Sequence, residues 1–164
     1  MFTCSNPSVI ELPNHIAVVP DAFNNSSYLE LIQWGIQNKL KELSLFVWST
    51  SQKNFLSKEW ESLYMELPTL YCQYEFITSA SLPIQPILNN EGMMVRMYVS
   101  YGVDNEFGVY RTENMGTDPN VLICTGGYHD LNNFCMHKLS STELEFTNVL
   151  FEHCDAEVWD DFFQ

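Results

Sequence analysis

A chain of 164 residues that is 46% hydrophobic is long enough to close one core and too short for two full-sized domains, so a single domain over residues 1–164 is expected. Its 21 acidic residues against 7 basic ones leave a formal net charge of −14, a field that repels nucleic acid and anionic membranes. No run approaches the ~18 uninterrupted apolar residues of a transmembrane segment, and the first residues lack a basic signal region. Cys4, Cys72, Cys124, Cys135 and Cys154 show no paired C-x-x-C spacing. The expectation is a cytoplasmic protein with reduced thiols, with neither a disulfide framework nor a zinc site.

The first strand is expected at His15-Ile16-Ala17-Val18-Val19, apolar on both faces. Asn24-Asn25-Ser26-Ser27 then forms a polar turn whose serines can cap a helix carrying Leu29, Ile32, Ile36 and Leu40 at helical spacing. A second strand runs from Leu43 to Trp48. It is followed by a helix from about Ser57 to Tyr71, with Trp60, Leu63, Tyr64 and Leu67 on one side and Pro68 bending or ending it. Further strands fall at Tyr74 to Ile77, Met93 to Val99 and Val121 to Cys124.

This alternation predicts an α/β fold, a central mostly parallel sheet flanked by helices and built from right-handed crossovers. A site is then expected at the carboxyl ends of the strands, where Asp21, Ser49, Gly126 and Gly127 would converge from distant parts of the chain.

Four segments, in order, resemble the cis-prenyltransferases, the family of undecaprenyl diphosphate synthase. They are Leu12-Pro13-Asn14-His15-Ile16-Ala17-Val18-Val19-Pro20-Asp21, Leu43 to Thr50, Met94 to Gly102, and the long run from Asp118-Pro119-Asn120 through Thr125-Gly126-Gly127 and Leu131-Asn132-Asn133-Phe134 to Glu143-Leu144-Glu145-Phe146-Thr147-Asn148-Val149-Leu150. The resemblance implies that family's fold in a truncated form. Shortening is expected after Asp21, around residues 80 to 92, and between Gly102 and Asp118.

The resemblance implies that Asp21 and Glu143 hold Mg²⁺ on a diphosphate, as hard cations select carboxylate oxygens. The plainer reading of the same two acids is that Asp21 caps the following turn and Glu143 caps or pairs locally. His129 keeps a family histidine position and, with Asp21, Asp130 and Glu143, offers an acid/base cluster or a carboxylate-rich metal site. Phe23, Asn24 and Asn25 stand in the allylic diphosphate loop, and Phe46, Trp48, Ser49, Gly126, Gly127 and Asn132 complete the substrate-binding set.

The anion-gripping groups are missing from this set. Ala22-Phe23-Asn24-Asn25 replaces a loop that carries glycine and arginine, while Cys124, Asp130 and Asn132 replace two arginines and a serine. Each lost arginine contact removes a charge-assisted hydrogen bond of roughly 1.5 to 3 kcal/mol. Chain elongation is therefore not expected.

One reading is a repurposed enzyme that cyclises or rearranges a single prenyl or terpenoid substrate, with Met93, Met94, Met97 and Met136 beside Phe46, Trp48 and Phe134 as its apolar lining. Core packing accounts for the same side chains. A second is a non-catalytic partner subunit of a cis-prenyltransferase, since the family's dimer surface is preserved from Leu139 to Val158 and implies a homodimer or heterodimer. Net charge alone supports a third, an acidic module for a basic protein. Cys124 with His129 as nucleophile and base is the remaining option, set against a cysteine that only packs.

Overall fold

The computed structural model describes residues 11–47, 58–78, 91–99, 118–127 and 141–164. Six strands form one sheet: β1 (His15–Val19), β2 (Glu42–Val47), β3 (Gln73–Thr78), β4 (Met94–Val99), β5 (Val121–Cys124) and β6 (Glu143–Phe146). Their order across the sheet is β3-β4-β2-β1-β5-β6, and every neighbouring pair is parallel. Every residue of β1 and β5 is buried, which explains why both strands read as unbroken apolar runs rather than alternating ones.

Three helices are described: α1 (Asn25–Gln37), α2 (Lys58–Glu66) and α3 (Ala156–Phe162). α1 packs against both others, and Tyr28, Leu31, Ile32 and Trp34 face the core. Its cap differs from the expectation. The Asn24 side chain, not Ser26 or Ser27, accepts the Ser27 N–H at 3.0 Å and the Ser27 hydroxyl at 2.9 Å. That contact takes up a first-turn amide with no intrahelical partner. Leu40 is buried beyond the helix end, after Lys39 adopts φ 58° to turn the chain back toward β2.

α2 stops at Glu66 because Pro68 cannot donate the next helical hydrogen bond; Leu67–Thr69 finish as a 3-10 turn. At the other end of the chain, a 3-10 turn at Phe151–His153 leads into α3. The Asp155 side chain caps α3 by accepting the Val158 N–H at 3.1 Å. α3 buries Trp159 against Phe151 and stacks it on Phe162, and Asp160 accepts the Trp34 indole N–H at 2.8 Å, which ties α3 to α1. Among the described residues, no helix is long and apolar enough to cross a membrane.

A polar ladder crosses the amino-terminal half of the sheet. The buried His15 Nε2 lies 2.7 Å from Ser44 Oγ. Arg96 donates to Glu42 at 2.8 Å and to Glu75 at 3.1 Å.

Candidate site at the strand ends

The strand order reverses between β1 and β5, because β1 leads away to β2 on one side and β5 leads to β6 on the other. In open α/β sheets the crevice at the carboxyl ends of such a strand pair is the usual ligand site. Asp21 follows β1 there, and Thr125-Gly126-Gly127 follows β5.

These residues are joined directly. The Asp21 N–H donates to Thr125 Oγ1 at 3.0 Å, and the Thr125 hydroxyl donates back to Asp21 Oδ1 at 2.7 Å. The same Oδ1 accepts the Phe151 N–H at 2.8 Å. The crevice is thereby bridged by a carboxylate, a buried hydroxyl and the segment that follows β6.

Gly126 and Gly127 were expected in the substrate-binding set. Both have positive φ, 74° and 70°, but their N–H groups donate to Val149 O and Thr147 O, each at 2.7 Å. An amide committed to a short backbone hydrogen bond cannot also cradle a phosphate. The segment 147–151 thus occupies both of these amides.

The other predicted positions divide into core, cap and outlying residues. Phe46 is buried and stacks on Tyr98 at a centroid distance of 4.7 Å, so it is core rather than pocket wall. Met93 and Met97 are likewise buried, with the Met93 sulfur directly beneath Gly35. Phe23 packs on Tyr28 at 5.3 Å. Asn24 serves as the α1 cap, and Asn25 donates to Ser62 Oγ at 3.1 Å. Trp48, Ser49, His129, Asp130, Asn132, Phe134 and Met136 lie outside the described residues.

Cys124 is buried in β5, where desolvation pushes its thiol up to about 11. A protonated, enclosed thiol is a poor nucleophile at neutral pH, as in the reading of a cysteine that only packs. Burial foremost, then the charges of Asp21 and Asp155, pushes the Cys154 thiol up to about 12.

The expected Mg²⁺ pair is not assembled within one chain. Glu143 is level with Val121 in the sheet register, whereas the Asp21 carboxylate sits at Thr125, four residues further along. That separation is about 13 Å along the strands before any sideways distance is added. Glu143 is exposed and hydrogen-bonds Glu145, whose carboxyl is held above its ordinary range by that bond first and by burial and the Glu143 charge after it. Among the described residues, no group of three His, Cys, Asp or Glu could hold a metal ion. The residues present therefore do not fit a cation shared by Asp21 and Glu143 of the same chain.

Among the described residues, Lys39 and Lys41 precede β2 and Arg96 is engaged by Glu42 and Glu75, toward the amino-terminal half of the sheet, while Lys58 opens α2 after β2. A described cavity of about 490 Å³ lies elsewhere, along α1 between Leu29, Trp34, Leu70 and Asp155.

No protein-family model matches the sequence, and no curated protein matches it. Among solved structures, the chain is similar to a probable undecaprenyl diphosphate synthase from Campylobacter jejuni, with a TM-score of 0.66 and 16% sequence identity over 93% of each chain. The fold is thus cis-prenyltransferase-like, as the four sequence segments implied, and the likeness runs nearly end to end in both proteins.

Proposed function

We propose that this chain is a non-elongating protein of cis-prenyltransferase-like fold that serves as a partner subunit, a pseudoenzyme, for a second copy of itself or for an active cis-prenyltransferase. One observation carries the reading. The crevice between β1 and β5 is closed by the protein's own segment 147–151, with the Gly126 and Gly127 amides and the Asp21 Oδ1 oxygen all engaged. Among the described residues, the two glycine amides of this crevice are then not free for a diphosphate, and condensation depends on holding two diphosphates in line.

The partner surface in this reading is the β6 edge. Leu144, Phe146 and Leu150 are large apolar side chains that remain 38–39% exposed on it and on the turn after it, on the end strand of the described sheet. The test is incubation with isopentenyl and farnesyl diphosphates plus MgCl₂, alone and with an active cis-prenyltransferase. No product is expected from the chain alone, and co-elution with the enzyme is expected on size exclusion. Elongation at an ordinary rate by the chain alone would overturn the proposal.

The reading as an enzyme that cyclises or rearranges one prenyl substrate keeps one supporting observation. Among the described residues, Asp21 Oδ2 has no hydrogen-bond partner, which leaves one carboxyl oxygen for proton transfer. That reading requires Asp21→Asn to abolish turnover in a folded protein, measured by mass spectrometry of products from geranyl and farnesyl diphosphates.

A further inference from the structure

We infer that Asp21 is a positioning residue that fastens the carboxy-terminal segment onto the sheet, rather than a metal ligand. The inference uses the same Asp21 contacts as the partner-subunit reading but requires no partner. Three separated stretches meet at its Oδ1: its own turn after β1, Thr125 after β5, and the backbone N–H of Phe151 at the start of the 3-10 turn. Thr125 is fully buried and bonds Asp21 both ways, accepting from its N–H and donating to its carboxylate.

The neighbouring geometry is fitted to this arrangement. A β-carbon on Gly126 would run into the Asp21 carboxyl, so the positive φ of Gly126 and the absence of a side chain there leave room for the acid. Gly126 and Gly127 then hold Val149 and Thr147, which places Phe151 within reach of Asp21. Beyond Phe151 the segment buries Cys154 and Trp159. One carboxylate oxygen thereby sets the docking of residues 147–164.

The two roles make opposite demands on Asp21→Asn. An asparagine keeps a neutral oxygen that accepts from Thr125 and Phe151, but it is a poor ligand for a hard cation. Cys154 is a built-in reporter, because its thiol is both enclosed and held protonated while the segment is docked. Opening the segment exposes the sulfur and restores an ordinary thiolate fraction.

The experiment compares the wild type with Asp21→Ala, Asp21→Asn, Thr125→Val and Thr125→Ser. Iodoacetamide labelling of Cys154 is followed by peptide mass spectrometry, and melting temperature is read with and without MgCl₂. Asp21→Ala and Thr125→Val are expected to speed Cys154 labelling on the order of tenfold or more, the factor that losing a buried charge-assisted hydrogen bond supplies. Asp21→Asn and Thr125→Ser are expected to stay within about threefold of wild type, and Mg²⁺ to leave the melting temperature unchanged. If Asp21→Ala does not fold, the Thr125 pair reads the same contact. Asp21→Asn labelling as fast as Asp21→Ala or Thr125→Val, or Mg²⁺ stabilising the wild type and not Asp21→Asn, would overturn the inference.

Discussion

A β-carbon at Gly126 would meet two obstacles at once, the left-handed backbone at φ 74° and the carboxyl group of Asp21. The first costs about 1–2 kcal/mol and the second adds about 1–3 kcal/mol of overpacking. Gly35 is also tightly placed, but its nearest atom is the Met93 sulfur at 2.7 Å, the far part of a flexible side chain. There the gain of about 1 kcal/mol in helix propensity offsets much of the displacement. Urea denaturation should therefore show Gly126→Ala destabilised by about 2–5 kcal/mol and Gly35→Ala changed by less than about 1 kcal/mol. Equal losses would mean that the Asp21 contact has been misjudged.

The buried thiols add a pH dependence at the same scale. Burial leads in raising Cys72 and Cys124 to about 11 and Cys154 to about 12, from an ordinary 9.0. Above pH 9 the unfolded chain releases thiol protons that the folded chain retains, so stability falls with rising pH. Below pH 9 the contribution is fully present. Melting temperature is expected to drop between pH 9 and 11, and Cys154→Ala should flatten that drop while lowering the melting temperature at neutral pH.

At the scale of single elements, the α1 cap is the most economical test of how the helix starts. Asn24→Ala removes an acceptor from both the amide and the hydroxyl of Ser27 and should cost about 1 kcal/mol by urea denaturation, while Asn24→Asp retains most of it. The sequence marked this turn but placed the cap at the serines. Four successive polar residues all qualify as caps, and the choice among them depends on which backbone turns first. The central strands were legible because burial on both faces removes any polar position from them. β6 and α3 were not among the elements read from periodicity. β6 is four residues long and alternates acid with half-exposed apolar side chains, and α3 lies inside an acidic stretch that reads as surface.

Of the candidate site, the convergence of three residues was legible and their use was not. Asp21, Gly126 and Gly127 do lie together, as placement after parallel strands required. What a linear sequence could not state is that Thr147, Val149 and Phe151 return to take their hydrogen bonds. Nor could it state that Glu143 begins β6 at the opposite end of the sheet from Asp21. A family motif carries its carboxylates as text, whereas their separation depends on register.

For the molecule as a whole, the proposed partner surface is the β6 edge. If Leu144, Phe146 and Leu150 are covered by a second chain, Phe146→Glu places a charge in an apolar contact and should convert dimer to monomer. Light scattering coupled to size exclusion reads this directly. A wild type that is monomeric at tens of micromolar would remove self-association from the proposal and leave only the heterologous partner.

The position of β1 has a consequence for how the protein is made. β1 is flanked by β2 and β5, and the contact from the His15 amide to Asn120 spans 105 residues. At a synthesis rate of about 5–20 residues per second, the ribosome needs about 5 to 20 seconds to deliver that second neighbour. Throughout this interval the nascent β1 lacks its β5 neighbour and one side of an apolar strand stays open.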